Sequence, residues 1–353
     1  MIQARFLGLL LLATVPAHAE GPPSFRVGPI VARAGEMVSG LVPVPAGVDE
    51  GTILPVTLAH GSRPGPVLAL IAGNHGYEYA PIRALQRLRA QLDPRQMAGT
   101  LILVHVANVP SFLARTIYYG PVDGKNLNRM YPGRADGTVS ERIARTITVE
   151  VIERSDYVLD LHCGDGNESL RPYAYWQVTG DPAIDEAGKQ MVLAFGLDHV
   201  VVDRERPADP ARTMYTSNTA VRRGKPAITV ESGGLGSTDE ASVRRLEAGA
   251  LSLMAHLRML DAPSVRVERP LWIEPARVVA SPATGVWHPT VDQKDNVAAG
   301  ALLGRLTDPF GDVIHEVRAP FAGEVLYVVA TPPVSEGEPL AFVGQVTSDD
   351  PKP

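Results

Sequence analysis

Hydrophobic positions along this chain follow two rhythms. In the middle of the sequence, unbroken apolar runs alternate with segments whose apolar residues recur at helical spacing. The runs "PVLALIAG" (Pro66 to Gly73), "TLILVHVANV" (Thr100 to Val109), "DYVLDLH" (Asp156 to His162), "DHVVVD" (Asp198 to Asp203) and "PAITVES" (Pro226 to Ser232) predict strands buried on both faces. A helix is predicted over Ile82 to Leu92, apolar at 82, 85, 88 and 92. A second is predicted over Ser140 to Arg154, with Ser140 as its N-cap, and a third over Thr238 to Leu260, apolar at 243, 246, 250, 253 and 257. Strands alternating with helices predict an α/β domain around a mixed, largely parallel sheet flanked by helices.

Both flanks read differently. Residues 24 to 60 carry short apolar runs broken by Gly and Pro, a β-rich pattern. After Asp261 the same pattern returns, and it repeats. "SPATGVW" (281–287) leads to "VAAGALLG" (297–304), and "APFAGEV" (319–325) leads to "VSEGEPLAF" (334–342). Two similar halves predict a smaller, all-β, sandwich-like C-terminal domain over 263–353, beside a catalytic domain over 20–262. The repeat resembles biotinyl/lipoyl carrier domains, which present a modified lysine on the hairpin joining the halves. Here that joint, "TDPFGDVIHEV", has no lysine. A module that braces the larger domain is therefore expected, not a swinging cofactor arm.

The first 19 residues read as a secretory signal. Arg5 supplies the positive start, Phe6 to Val15 is short for a membrane span, and Ala17-His18-Ala19 has the form of a cleavage site; an uncleaved anchor is the alternative. A secreted chain, in the bacterial periplasm and without stable membrane insertion after cleavage, is the expectation. Net charge of −6 argues against nucleic acid as a partner. Cys163 is the only cysteine, so no internal disulfide can form and the fold must rest on its core.

Chemistry-bearing residues gather where the predicted strands end. Ligands of open α/β sheets bind beyond the carboxyl ends of the strands. His75 and Glu78 follow the first run, Asp160 and His162 end the third, and Glu231 ends the fifth. Two histidines and one carboxylate are the donor set of a catalytic zinc site, so His75, Glu78 and His162 are candidate ligands of one Zn²⁺ per chain. Taken singly, each has a plainer reading: a loop histidine, a carboxylate at a helix N-terminus, a core histidine. Asp160, two residues before His162 and on the same face, is placed either to fix a ligand tautomer or, as a strand-end carboxylate, to bond backbone. Glu231 is placed to take a proton from water and pass it to a leaving nitrogen. Asn128 and Arg129, in the loop between the two halves of the site, form a candidate carboxylate clamp.

The four motifs "GNHGYE", "NLNRMYPG", "DLHCGD" and "TVESGG", in this order, resemble the succinylglutamate desuccinylase/aspartoacylase family, a branch of the zinc carboxypeptidase superfamily. The resemblance covers about residues 50 to 345. It implies a zinc carboxypeptidase-like fold, His75, Glu78 and His162 as zinc ligands, and Glu231 as general acid/base. It also implies that Asn128 and Arg129 hold the substrate carboxylate and that Arg115 polarises the scissile carbonyl. The implied activity is zinc-dependent hydrolysis of an amide C–N bond, with an N-acyl amino acid as the small-molecule substrate. A metallocarboxypeptidase acting on peptides or cell-wall stems, and a non-catalytic metal-binding homologue, are the alternatives. "GDGNESLRPYAYW" (Gly164 to Trp176) departs from the corresponding aspartoacylase segment, which leaves the substrate open.

Overall fold

The structure is a computed structural model describing residues 24–351; the expected signal over residues 1–19 lies outside the described residues. Four strands open the chain: β1 (Ser24–Val27), β2 (Ile30–Arg33), β3 (Glu36–Val44) and β4 (Thr52–His60). Then follow β5 (Arg63–Ala72), α1 (Tyr79–Gln91), β6 (Ala98–Val104), α2 (Val109–Ala114) and α3 (Val139–Ile147). The site-bearing half comprises β7 (Tyr157–Gly164), β8 (Glu168–Leu170), β9 (Tyr173–Gln177), α4 (Pro182–Phe195), β10 (His199–Asp203), α5 (Thr216–Val221), β11 (Ala227–Gly234) and α6 (Glu240–His256).

The apolar runs do form the centre of a mixed sheet. Strands β6, β5, β7 and β11 are parallel neighbours, β9 joins β11 antiparallel, and β10 joins β9 parallel. Their runs are apolar on both sides because both faces are covered. On one face Ile82, Leu85 and Leu88 of α1 pack with Val243, Leu246 and Leu253 of α6 and with α4. On the other, Ile143, Ala144 and Ile147 of α3 pack with Ala220 and Val221 of α5 and with Val27 and Ile30 of the first hairpin. Full burial of each such Leu or Ile stabilises the fold by about 1.5–3 kcal/mol.

Several element boundaries differ from the sequence expectation. Strand β6 stops at Val104, short of Val109, because Asn108 accepts a hydrogen bond from the Ser111 N–H and, with Pro110 in the first turn, starts helix α2. The helix expected from Ser140 begins at Val139 with Thr138 as its N-cap, and Glu141 reaches back to the Thr138 N–H (2.9 Å). Ser140 lies inside the helix and bonds Asp123 instead. The α-helix ends at Ile147, and residues Thr148–Ile152 continue as a wider π turn. In α6 the cap is Asp239, which accepts the Ser242 N–H.

The C-terminal strands are β12 (Leu271–Ala280), β13 (Gly285–Pro289), β14 (Asn296–Val297), β15 (Leu302–Thr307), β16 (Val313–Arg318), β17 (Gly323–Val329), β18 (Pro333–Val334) and β19 (Pro339–Thr347). They form two layers. β13, β15, β16 and β18 make a separate antiparallel sheet, whereas β12, β19, β17 and β14 extend the main sheet through the β10–β12 pairing. Trp287, Leu303 and Leu306 of the first layer share a core with Val325, Val328 and Leu340 of the second. Strand β17 also pairs with β8, setting Tyr327 opposite Leu170. That pairing carries a C-terminal side chain to the strand ends of the α/β sheet.

Candidate functional site

The site begins with a tight turn after β5. Gly73 has φ of +72°, a left-handed value that favours glycine. At Gly76 a Cβ would lie 2.4 Å from the Thr116 carbonyl oxygen and 2.5 Å from that of Ser111, so only glycine fits. These two residues let the chain turn with His75 and Glu78 facing inward. Glu78 occupies the N-cap position of α1 yet makes no capping bond. Forgoing the cap costs about 1 kcal/mol, and a local rule broken in this way marks a functional position.

Glu78 serves the histidines instead. Its Oε1 lies 2.8 Å from His75 Nδ1 and 2.8 Å from His162 Nδ1. The donor atoms of the three residues lie within 4.8 Å of one another and can hold a metal ion. The outer ring atoms are taken as well. His75 Nε2 lies 3.1 Å from Asn126 Oδ1, and His162 Nε2 lies 3.2 Å from Asp160 Oδ1. Both oxygens can only accept, so a hydrogen on each Nε2 satisfies them, and a bound metal would take the lone pair of each Nδ1 at the common point. Asp160 thus occupies the tautomer-fixing position expected of it. Asn126, two residues before Asn128 in "NLNR", does the same for His75 and was not singled out in the sequence.

Charge reinforces the geometry. Burial opposes ionisation of Glu78, but His162 and His75 outweigh it and hold the carboxyl down at about 2. Burial likewise opposes charge on the histidines, and Glu78 outweighs it, raising His75 and taking His162 well above the usual imidazole range. A pocket that draws protons onto two imidazoles is a pocket that favours a cation. Glu78 and His162 are buried, while His75 keeps 11% of its side-chain surface where it borders the cleft.

Glu231 stands beside this group. It pairs in register with His162 across β11 and β7, so both side chains leave the same face of the sheet. Burial, then repulsion from Glu78, Glu168 and Asp160, raises its carboxyl well above the usual range despite attraction from His162. One of its oxygens, Oε2, is buried with no hydrogen-bond partner. Cys163, next to His162, is buried and outside the donor group; burial pushes its thiol well up.

These residues line a cleft of about 460 Å³. Asn128 and Arg129 both reach it. The Asn128 Oδ1 accepts from the Thr216 N–H (3.0 Å), so its amide nitrogen is the end that faces the site, 3.3 Å from His162 Nε2. The Arg129 guanidinium lies 4.5 Å from the centre of the Tyr215 ring, and that of Arg206 lies 3.7 Å from the same ring. Arg206 also pairs with Asp203. It was missed in the sequence although "RERP" directly follows the predicted strand ending at Asp203, the same strand-end signal that marked the other residues.

Arg115 lies apart from the other candidate residues. The structure does not bring it to the cleft: it is exposed and absent from the lining. Helix α2 ends there, and the chain turns left-handed at Arg115 (φ 54°), its N–H bonding back to Phe112 and Ser111. The cleft is reached three residues later, by Tyr118. The remaining wall holds Asp165 and Glu168 from the segment after His162, with Tyr173, Tyr175 and Tyr327. Burial raises Asp165 to about 6 and Glu168 to about 7.

Comparison with known proteins shows the family and the fold. Residues 64–257 match the model of the succinylglutamate desuccinylase/aspartoacylase catalytic domain. The chain is 31% identical over 348 residues to the N-alpha-acetyl-L-2,4-diaminobutyric acid deacetylase of Halomonas elongata, covering 93% of this chain and 98% of that one. It is 28% identical to the product-bound ectoine utilization protein EutE (DoeB) of Ruegeria pomeroyi, with a TM-score of 0.78 over 92% of this chain and 100% of that one. A succinylglutamate desuccinylase from Silicibacter sp. TM1040, 24% identical, shares the fold with a TM-score of 0.79 over 93% of this chain and 100% of that one.

Proposed function

The chain belongs to the succinylglutamate desuccinylase/aspartoacylase family, and from that premise we propose that it is a zinc-dependent hydrolase of the amide bond in a small N-acyl amino acid. The observation that carries the reading is the in-register pair of Glu231 and His162, which sets an unpartnered carboxylate oxygen beside the His75/Glu78/His162 group. The relative from Halomonas elongata, named as a deacetylase of an N-acetylated diamino acid, supports the substrate class.

Two imidazole nitrogens and a carboxylate oxygen, open on the cleft side, fit Zn²⁺. Bound there, the ion supplies Lewis acidity that lowers the pKa of water and polarises a carbonyl. The chain's own residues supply the rest. Asp160 and Asn126 hold the two rings in the ligating tautomer. The Arg129 guanidinium and the Asn128 amide hydrogens take the substrate carboxylate, and Arg206, held by Asp203 and Tyr215, adds a second positive charge beside them. Glu231 accepts a proton as water adds to the acyl carbon. It returns that proton to the nitrogen as the C–N bond breaks, leaving a carboxylic acid and an amine. Burial favours the protonated state of Glu231, which suits the donating half of that cycle.

The test is a substrate panel with metal analysis. Purified protein is expected to carry about one zinc per chain and to release acid from N-acetyl or N-succinyl amino acids. Release of C-terminal residues from short peptides without deacylation overturns the substrate class in favour of a carboxypeptidase. Full activity in metal-free protein overturns the zinc reading. The N-terminal pattern also supports a proposal of secretion to the periplasm, and N-terminal sequencing of the mature protein, expected to start near Glu20, tests it.

A further inference from the structure

The cleft contains a carboxylate that the hydrolytic scheme does not use. Glu168 accepts a hydrogen bond from the Tyr118 hydroxyl at 2.7 Å, and among the described residues it forms no ion pair. Both cleft arginines are committed elsewhere, against Tyr215. Four carboxylates (Glu78, Asp165, Glu168 and Glu231) line the cleft against those two guanidinium groups. Glu78 belongs to the metal donors and Glu231 to proton transfer. Asp165 is satisfied by the backbone N–H groups of Tyr77 (3.1 Å) and Tyr118 (3.0 Å). Glu168 alone has only a neutral phenol to answer its charge.

Its surroundings are aromatic. The Tyr118 and His75 rings meet nearly at right angles, with centroids 6.1 Å apart, so one phenol ring links Glu168 to the metal donors. Tyr327 is the diagonal neighbour of Glu168 across the β8–β17 ladder, where Glu168 faces Val329 and Leu170 faces Tyr327. A carboxylate walled by electron-rich rings is the environment that selects an ammonium group. The two arginines near Tyr215 take a carboxylate. The cleft thus offers separate sites for an anionic and a cationic substituent on one small molecule, both beside the group where an amide would be cut.

We propose that Glu168, walled by Tyr118 and Tyr327, binds a free ammonium on the substrate, so that the enzyme selects short diamino acids acylated on one amine. This rests on the deacylase reading for the acyl group, but not for the cation subsite itself. Asp165 and Glu168 both lie in the segment "GDGNESLRPYAYW".

The experiment separates the two claims. L-2,4-Diaminobutyrate and L-norvaline differ only by an ammonium in place of a terminal methyl. Calorimetry on zinc-loaded protein is expected to show the diamino acid binding at least about tenfold more tightly. In Glu168→Gln, with folding checked by circular dichroism and metal content, that preference is expected to fall to within about threefold. Tyr118→Phe, which leaves the carboxylate but removes its hydrogen bond, is expected to lie between them. Equal affinities in the wild type overturn the proposal, as does a preference that survives Glu168→Gln in folded protein. Turnover of the Nα-acetyl derivatives is measured in parallel. If neither is hydrolysed while the affinity difference holds, the deacylase reading fails and the cation subsite stands.

Discussion

Glu231→Gln separates proton transfer from every other role of the site. The substitution preserves shape, and none of the metal donor atoms belongs to residue 231. General acid–base catalysis by a positioned side chain contributes about 10²–10⁴-fold. Losing it should therefore raise the activation barrier by about 3–5 kcal/mol. Stability should move the other way. Glu231 has a raised folded-state pKa, so its contribution is present below the ordinary carboxyl value of 4.5 and is lost as pH rises through the folded value. At neutral pH the metal-free wild type bears the cost of that buried, partly unpartnered carboxylate, and glutamine removes it. The assay is kcat on an N-acetyl amino acid at saturating substrate, with zinc content and a thermal melt of metal-free protein. Full metal content with kcat within about threefold of wild type would refute the role given to Glu231.

Three further outcomes are expected. Asp160→Asn removes the acceptor 3.2 Å from His162 Nε2 and should weaken zinc affinity about 10- to 100-fold, measured by chelator competition. Zinc uptake should release protons near neutral pH, because His75 and His162 are held above their ordinary value in the metal-free site; calorimetry in buffers of different ionisation enthalpy detects this, and no buffer dependence would contradict it. The histidines' own stabilising contribution is full below pH 6.5 and is lost as pH rises through their raised values, whereas that of Glu78 is present above 4.5 and is lost as pH falls towards about 2. Arg142→Met strips a buried guanidinium from the Pro45, Gly137 and Glu50 carbonyls and leaves Asp49 unpaired, so urea denaturation should show a loss of about 3–5 kcal/mol.

What the sequence determined by itself was the part governed by local periodicity and strand ends. The runs from Leu68, Leu101 and Val158 read as doubly covered strands because each is apolar on both sides, and they are buried as expected. His75, Glu78, His162 and Glu231 were legible because adjacent parallel strands end at one edge, so residues far apart in sequence arrive together. Boundaries failed where a cap outweighed periodicity, as Asn108 did at α2 and Thr138 at α3. Closeness in sequence to Asn128 does not fix direction: Arg115 caps α2 in a left-handed conformation and stays in solvent. Only the tertiary structure decided the walls of the cleft. Tyr215 follows a loop, Glu168 sits on a three-residue strand, and Tyr327 arrives through the β8–β17 pairing from the C-terminal layer. No local pattern encodes such contacts, because they arise from sheet register and loop closure, and these walls decide what the site admits.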